Sequence, residues 1–266
     1  MEKIKNMKMK KNLFFILLVI GMIGCEDEEF KVDCLPTNLQ NGVIAFYPFN
    51  VGSLDDGSTN SNNLTNPTTA NPSTDRDGNA NCAFQFNNSL ADEEFLTTTA
   101  SNFLNDLDEF SVSIWYEPMD TTRSVGSFEV LLGRGDEERC SERIGEWSVG
   151  LSDCRKAVFG HNNSVWANTI TDFLDGCEGE IVALTDKWHH VVATKNGDEY
   201  KIYFNGNLDE SVSGNANCTN LHIAEDIGDM FIGSKYTGKI DDILIYDRAL
   251  TQSEVTALYE LEPCCQ

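Results

Sequence analysis

Residues placed to make or break bonds are scarce in this 266-residue chain. Cleaving a glycosidic bond with retention takes two carboxyl groups about 5–5.5 Å apart. On a strand, that means acids at i and i+2 or i+4, as in an ExDxxE run, and no such run occurs. Asp92 with Glu94, and Asp136 with Glu138, have the spacing but sit in polar, loop-like stretches where acids are ordinarily solvated. Neither a GxSxG elbow nor an HExxH run is present. His189 and His190 are neighbours on a predicted strand, so they point to opposite faces and cannot easily grip one metal. His161 and His222 are isolated. The expectation is a protein that binds without catalysing, because a glycoside hydrolase would need an acid pair that the chain does not display.

Binding residues are easier to nominate. Planar rings stack on pyranose faces, and amides suit sugar hydroxyls. Trp166 in "HNNSVWANT" lies among Asn162, Asn163 and Asn168. Trp115 and Tyr203 fall on the face of their strands opposite the apolar one, where they could stand exposed. The candidate carbohydrate site is therefore Trp166, Asn163, Trp115 and Tyr203. A tryptophan that only covers a loop has the same signature as a ligand platform.

Thiols come next. Lys3, Lys5, Lys8, Lys10 and Lys11 precede an 11-residue apolar run, Leu13 to Ile23. A basic region followed by a short apolar one has the shape of a secretory signal, and a membrane span needs about 20 residues. "MIGC", Met22 to Cys25, resembles a bacterial lipobox whose cysteine is acylated and becomes the new N-terminus. A plain signal peptide with an incidental cysteine is the alternative. Each buried methylene contributes about 0.8 kcal/mol, so acyl chains on Cys25 would hold the chain at a membrane. Glu26, Asp27, Glu28 and Glu29 follow. This acid run is either a solvated tether or, by resemblance, the export signal of Bacteroidetes-type surface lipoproteins. The expected organisation is a lipoprotein signal peptide over 1–24, an acidic tether over 25–40 and a domain over 41–266, at the outer membrane or cell surface.

Removing residues 1–24 takes away five lysines and one glutamate, leaving 14 basic residues against 42 acidic ones, a net charge of −28. Such a surface repels phosphate backbones, which excludes nucleic acid as a partner. The eight cysteines besides Cys25 are Cys34, Cys82, Cys140, Cys154, Cys177, Cys218, Cys264 and Cys265. An even number in an exported chain reads as a disulfide framework, with 105 possible connectivities. Cys34 with Cys264 or Cys265 would staple the termini. No CxxC pair suggests zinc.

The elements that must position these residues are strands. Short β-rich runs recur between Gly, Asn, Asp and Ser clusters, the pattern of an all-β sandwich or barrel. In "WHHVVATKNGDEYKIYFNGNLDESVS", Trp188 to Ser213, two Asn-Gly pairs punctuate three strands of an antiparallel meander. "FSVSIWYEP" alternates Phe110, Val112, Ile114 and Tyr116 against Ser111, Ser113, Trp115 and Glu117. Further strands are expected in residues 42–49, 82–86, 129–133, 146–151, 156–161, 230–234 and 239–247. One short helix closes the chain, "TQSEVTALYEL", with a Thr251–Glu254 capping box and an apolar face of Val255, Leu258 and Tyr259 for docking on a sheet.

"GVIAFYPFN", "FSVSIWYEP", "DKWHHVVATKNGDEYKIYFNGNL" and "YTGKIDDILIYDRALTQSEVTALYE" together resemble the laminin G-like, concanavalin A-like jelly-roll domains of bacterial surface proteins, from about Gly42 to Glu260. The resemblance implies two antiparallel sheets packed face to face, with Trp188 and Trp147 in core strands and loop edges that often bind carbohydrate. It also implies a calcium ion between an early Asp-rich loop and a late Asp pair. Here those are Asp55, Asp56 and Asn60, with Asn63 nearby, and Asp241 with Asp242. Calcium takes six to eight oxygens, which these residues could supply, although Asx-rich loops are also ordinary turn chemistry. Strand alternation would turn at most one of Asp241 and Asp242 inward. The function implied is a lipid-anchored cell-surface module that recognises carbohydrate. The alternative is a structural adhesion or assembly module for protein partners.

Overall fold

The computed structural model describes residues 34–88, 93–98, 101–104, 107–119, 128–134, 147–152, 156–161, 165–168, 186–214 and 229–265, with no side-chain description for 161, 165, 166 and 168. A short helix α1 (Thr37–Gln40) leads into β1 (Val43–Tyr47), β2 (Asn71–Ser73), β3 (Ala83–Asn87), β4 (Leu96–Thr98), β5 (Glu109–Pro118) and β6 (Phe128–Arg134). Next come β7 (Trp147–Ser152), β8 (Lys156–His161), β9 (Val165–Asn168), β10 (His189–Asn196), β11 (Glu199–Phe204) and β12 (Asn207–Ser213). The chain ends with β13 (Met230–Ile232), β14 (Thr237–Tyr246) and α2 (Gln252–Tyr259).

These strands form the sandwich that their alternation predicts. One sheet runs β12-β11-β10-β5-β14-β3-β2, with β1 also paired to β14; the other runs β4-β13-β6-β7-β8-β9. Every pairing among them is antiparallel. Val112, Ile114, Val191, Ala193 and Ile202 of the larger sheet meet Leu132, Val149, Leu151, Phe159 and Ile232 of the smaller one in a closed core. Fully burying each aliphatic side chain contributes about 1.5–3 kcal/mol, so this layer dominates stability.

A second apolar cluster lies on the other face of the larger sheet. Leu35 and Leu39 beside α1, and Leu250, Val255 and Leu258 around α2, cover Phe46, Val192, Tyr203, Leu244 and Tyr246. Residues 34–40, assigned above to the tether, are thus tied to this sheet by Leu35, Leu39 and Cys34. Helix α2 has its capping box: the Thr251 side chain accepts from the Glu254 N–H while Glu254 accepts from the Thr251 N–H. Arg248 grips the same Glu254 at 2.6 Å. Two disulfides anchor the C-terminal tail, Cys34–Cys264 and Cys82–Cys265, so the predicted staple of the termini is present with Cys264 as the partner. Cys140, Cys154, Cys177 and Cys218 lie outside the described residues, as does Cys25.

Candidate functional site

The outward side chains of β10, β5, β14 and β3 form two parallel rows on the outer face of the larger sheet, and the two rows have opposite fates. The first contains His190, Trp115 and Asp241, which are direct cross-strand partners. Helix α2 and the tail close over it. Tyr259 stacks on Trp115 with ring centroids 5.6 Å apart, and His190 lies against the same indole at 4.9 Å. The Arg76 guanidinium sits 4.4 Å above the Trp115 ring. Its Nη1 reaches Asp241 at 3.2 Å and Asp242 at 2.7 Å, and its Nη2 donates to the Leu261 carbonyl. The Cys264 N–H donates to Asp242, so the tail is locked onto the same charges.

Burial sets the protonation of this row. Desolvation pushes Asp241 well above the ordinary carboxylate range, and the charge of Asp242 adds to it; Arg76 opposes both effects. Asp242 is likewise raised by burial, with Arg76 pulling it down. His190 is lowered to about 3, first by burial and then by the charge of Arg76, so it is neutral at pH 7. Its Nε2 shares a 2.8 Å hydrogen bond with Ser113 Oγ.

The alternation rule for Asp241 and Asp242 fails here for an identifiable reason. The pairing of β14 with β5 slips between Asp241 and Leu244, and Asp242 takes a φ of 40°. A β-bulge adds one residue to one strand. Ile240 and Ile243 both stay in the core while both carboxylates turn outward to Arg76.

The early loop does not complete a calcium cage with them. Asp56 is fully buried, and its carboxylate accepts from the N–H groups of Phe46, Ser58 and Asn62 and from the Ser58 hydroxyl. The Asn60 amide donates to the carbonyls of Val43 and Ile44. Asp55 is exposed, with Ser53 as its partner. Among the described residues no group of three or more His, Cys, Asp or Glu can hold a metal. The donor set Asp55, Asp56, Asn60, Asp241 and Asp242 thus does not fit a calcium ion: the loop does turn chemistry, and a guanidinium meets the late pair.

Trp115 and Tyr203 are placed outward, as their alternation requires, but they are not a platform. Tyr203, 4% exposed, belongs to the apolar cluster that α1 and α2 complete, and Trp115, 9% exposed, lies under Tyr259 and Arg76. Asn163 lies outside the described residues, and Trp166 is described only as a backbone position on β9. Trp147 is in the core, packed on Phe110. Of the acid pairs, Asp92, Asp136 and Glu138 lie outside the described residues, and Glu94 braces a loop by accepting from Thr69 Oγ1 and the Asn87 N–H. His189 and His190 do point to opposite faces, His189 inward against Tyr116 and Phe204.

The second outward row is half-buried and not closed by α2, with the Lys239 and Glu117 side chains 17% and 12% exposed, and sequence reasoning missed it by assigning Trp188 to a core strand. Glu117 pairs across strands with Lys239, Lys239 with Gln85, and Gln85 with Asn71. Trp188 precedes His189, which pairs with Tyr116, so the indole stands beside Glu117. Lys239 Nζ lies 5.9 Å from the Trp188 ring centroid and 2.6 Å from Glu117. Trp188, Glu117, Lys239 and Gln85 are half-buried, and Asn71 is exposed. Met119, just past β5, is 40% exposed, and the N–H of Asp186 ties the Trp188 segment to the Pro118 carbonyl. The signal was available: alternation from inward Ile114 and Tyr116 puts Glu117 outward, and its neighbour in the meander follows.

Comparison with known proteins agrees with this architecture. Residues 90–256 match the Laminin_G_3 family, described as the concanavalin A-like lectin/glucanases superfamily. The sequence has no significant match among curated proteins. Among solved structures, the binding domain of Paraclostridial Mosquitocidal Protein 1 is similar, at 18% identity and a TM-score of 0.61 over 83% of this chain and 52% of that one. A botulinum neurotoxin type C structure, whose cell entry is described as dependent on two ganglioside molecules, gives 16% identity and 0.61 over 84% and 52%. The binding domain of botulinum neurotoxin DC in complex with rat synaptotagmin II gives 16% and 0.62 over 84% and 52%. This chain spans about half the length of those structures, and likeness at such identities establishes the fold. The chain belongs to the concanavalin A-like lectin/glucanase superfamily.

Proposed function

We propose that this member of the superfamily is a non-catalytic binding module, held at the cell surface by lipid on Cys25, and that its ligand is carbohydrate. The open row beginning at Trp188 carries the reading. An indole face beside the Glu117–Lys239 pair and the Gln85 amide offers one apolar plane and several hydrogen-bonding groups in a line. The closed row argues against hydrolysis: Asp241 and Asp242 converge, but on Arg76 and beneath the tail, where no substrate can reach them. The ganglioside dependence described for the type C neurotoxin supports a glycan ligand, and the synaptotagmin complex of neurotoxin DC supports the second reading, a protein partner.

The test is a glycan array probed with residues 26–266 made in an oxidising compartment, with calcium and with EDTA. Binding to specific glycans, unchanged by EDTA and lost in Trp188→Ala, is the expected result. Absence of binding under both conditions would overturn the carbohydrate reading and favour the protein partner. Anchoring is tested separately by palmitate labelling, which should disappear in Cys25→Ser.

A further inference from the structure

We infer that the open row takes a linear, uncharged oligosaccharide laid across the strands, and that it has separate places for successive sugar units. The inference rests on the carbohydrate reading and adds the orientation, length and charge of the ligand.

Orientation and length follow from the register. Trp188, Glu117, Lys239, Gln85 and Asn71 stand on neighbouring strands, each beside the next. Adjacent strands lie about 4.8 Å apart, so the row runs about 19 Å perpendicular to the strands. That step is close to the repeat of a pyranose residue in an extended chain, and the row matches three or four units. A wall limits the other direction: two residues along each strand lies the closed row of His190, Trp115 and Asp241 under Arg76 and α2. A ligand following the strands would run into it.

The chemistry of the row is graded. Trp188 supplies the stacking face at one end. The Glu117–Lys239 pair cancels its own charge and offers acceptors and donors to vicinal hydroxyls. The Gln85 amide keeps a free N–H and a free lone pair, because its Nε2 donates once to Asn87 and its Oε1 accepts once from Ser73. Asn71 adds an exposed amide at the far end. A row with no net charge, on a chain of formal charge −24, disfavours uronic acids and sulfated sugars.

The experiment is calorimetric titration of residues 26–266 with neutral oligosaccharides of one to six units, of the linkage selected on an array, beside a uronic acid series. Affinity should rise with each unit to three or four and then level off, with no measurable binding of the uronic acids. Trp188→Ala should weaken every length by about tenfold or more. Gln85→Ala should remove the gain from the third and fourth units and leave the disaccharide unchanged. Should Trp188→Ala misfold by circular dichroism, Trp188→Phe and Gln85→Ala carry the test. Glycan binding that is indifferent to chain length, or that survives these substitutions, would place the sugar elsewhere and overturn this inference alone. Failure of every glycan to bind would overturn the carbohydrate reading as well.

Discussion

Arg76→Ala should be the most damaging single substitution on the outer face of the larger sheet. The guanidinium is 9% exposed and meets two carboxylates that are 0% and 6% exposed. Removing one partner of a buried ion pair costs about 3–5 kcal/mol, because it strands a desolvated charge. Here Asp242 would be stranded beside a second buried carboxyl, and the Trp115 ring and the Leu261 carbonyl would lose their partner too. These contributions share one side chain and do not add, so about 4 kcal/mol is the expected loss. For a domain of this size that corresponds to a fall of about 8–16 °C in Tm. Asp241→Asn in the wild-type background should be neutral or stabilising at pH 7, since burial and the charge of Asp242 already oppose its ionisation. The contribution of the raised carboxyl is full below its ordinary value of 3.8 and is lost as pH rises through its folded value, so the gain from Asp241→Asn should shrink toward pH 4. The double variant Arg76→Ala/Asp241→Asn should recover more than 1 kcal/mol relative to additivity. Urea denaturation of the four proteins, with disulfides intact, measures all of this. A loss below 1 kcal/mol for Arg76→Ala, or strict additivity in the cycle, would refute the reasoning.

Other outcomes follow from the same contacts. Glu254 is held down at about 2, chiefly by hydrogen bonds from Arg248 and then from Thr251. Its contribution is complete above the ordinary value of 4.5 and is lost as pH falls toward 2; Glu254→Gln should cost about 1 kcal/mol at pH 7 and flatten that acid limb in thermal melts. Paired removal of Cys34 and Cys264, which close a loop with a sequence separation of 230, should cost about 3–5 kcal/mol and speed hydrogen–deuterium exchange in the α1 segment, while Cys82–Cys265 still holds the tail. Adding calcium or EDTA should leave Tm unchanged, because backbone N–H groups occupy Asp56 and Arg76 occupies the late pair; a calcium-dependent rise of several degrees would contradict the assignment.

The fold was legible because alternation is a strong signal wherever one face is buried. Phe110, Val112, Ile114 and Tyr116 read as a strand, and they form one. The closing helix was legible to its cap, since Thr251 and Glu254 have a spacing that only a helix start uses. The site was harder for three physical reasons. Outward direction does not mean exposure: Trp115 and Tyr203 face out, yet α2 needed a seat, and its apolar Val255 and Leu258 were the clue. The bulge at Asp242 breaks the period of two, and only the spacing of Ile240, Ile243 and Ile245 betrays the extra residue. Arg76 carries no local signal at all, because a loop residue 165 positions from Asp241 meets it through tertiary structure.

The most direct test of the account is carbene footprinting of residues 26–266, alone and with a saturating neutral oligosaccharide chosen from the array. Protection should appear at Trp188, Met119, Lys239 and Gln85, the residues on and beside the open row. Protection confined to residues 162–168, or to any surface that leaves Trp188 as reactive as in the free protein, would contradict it.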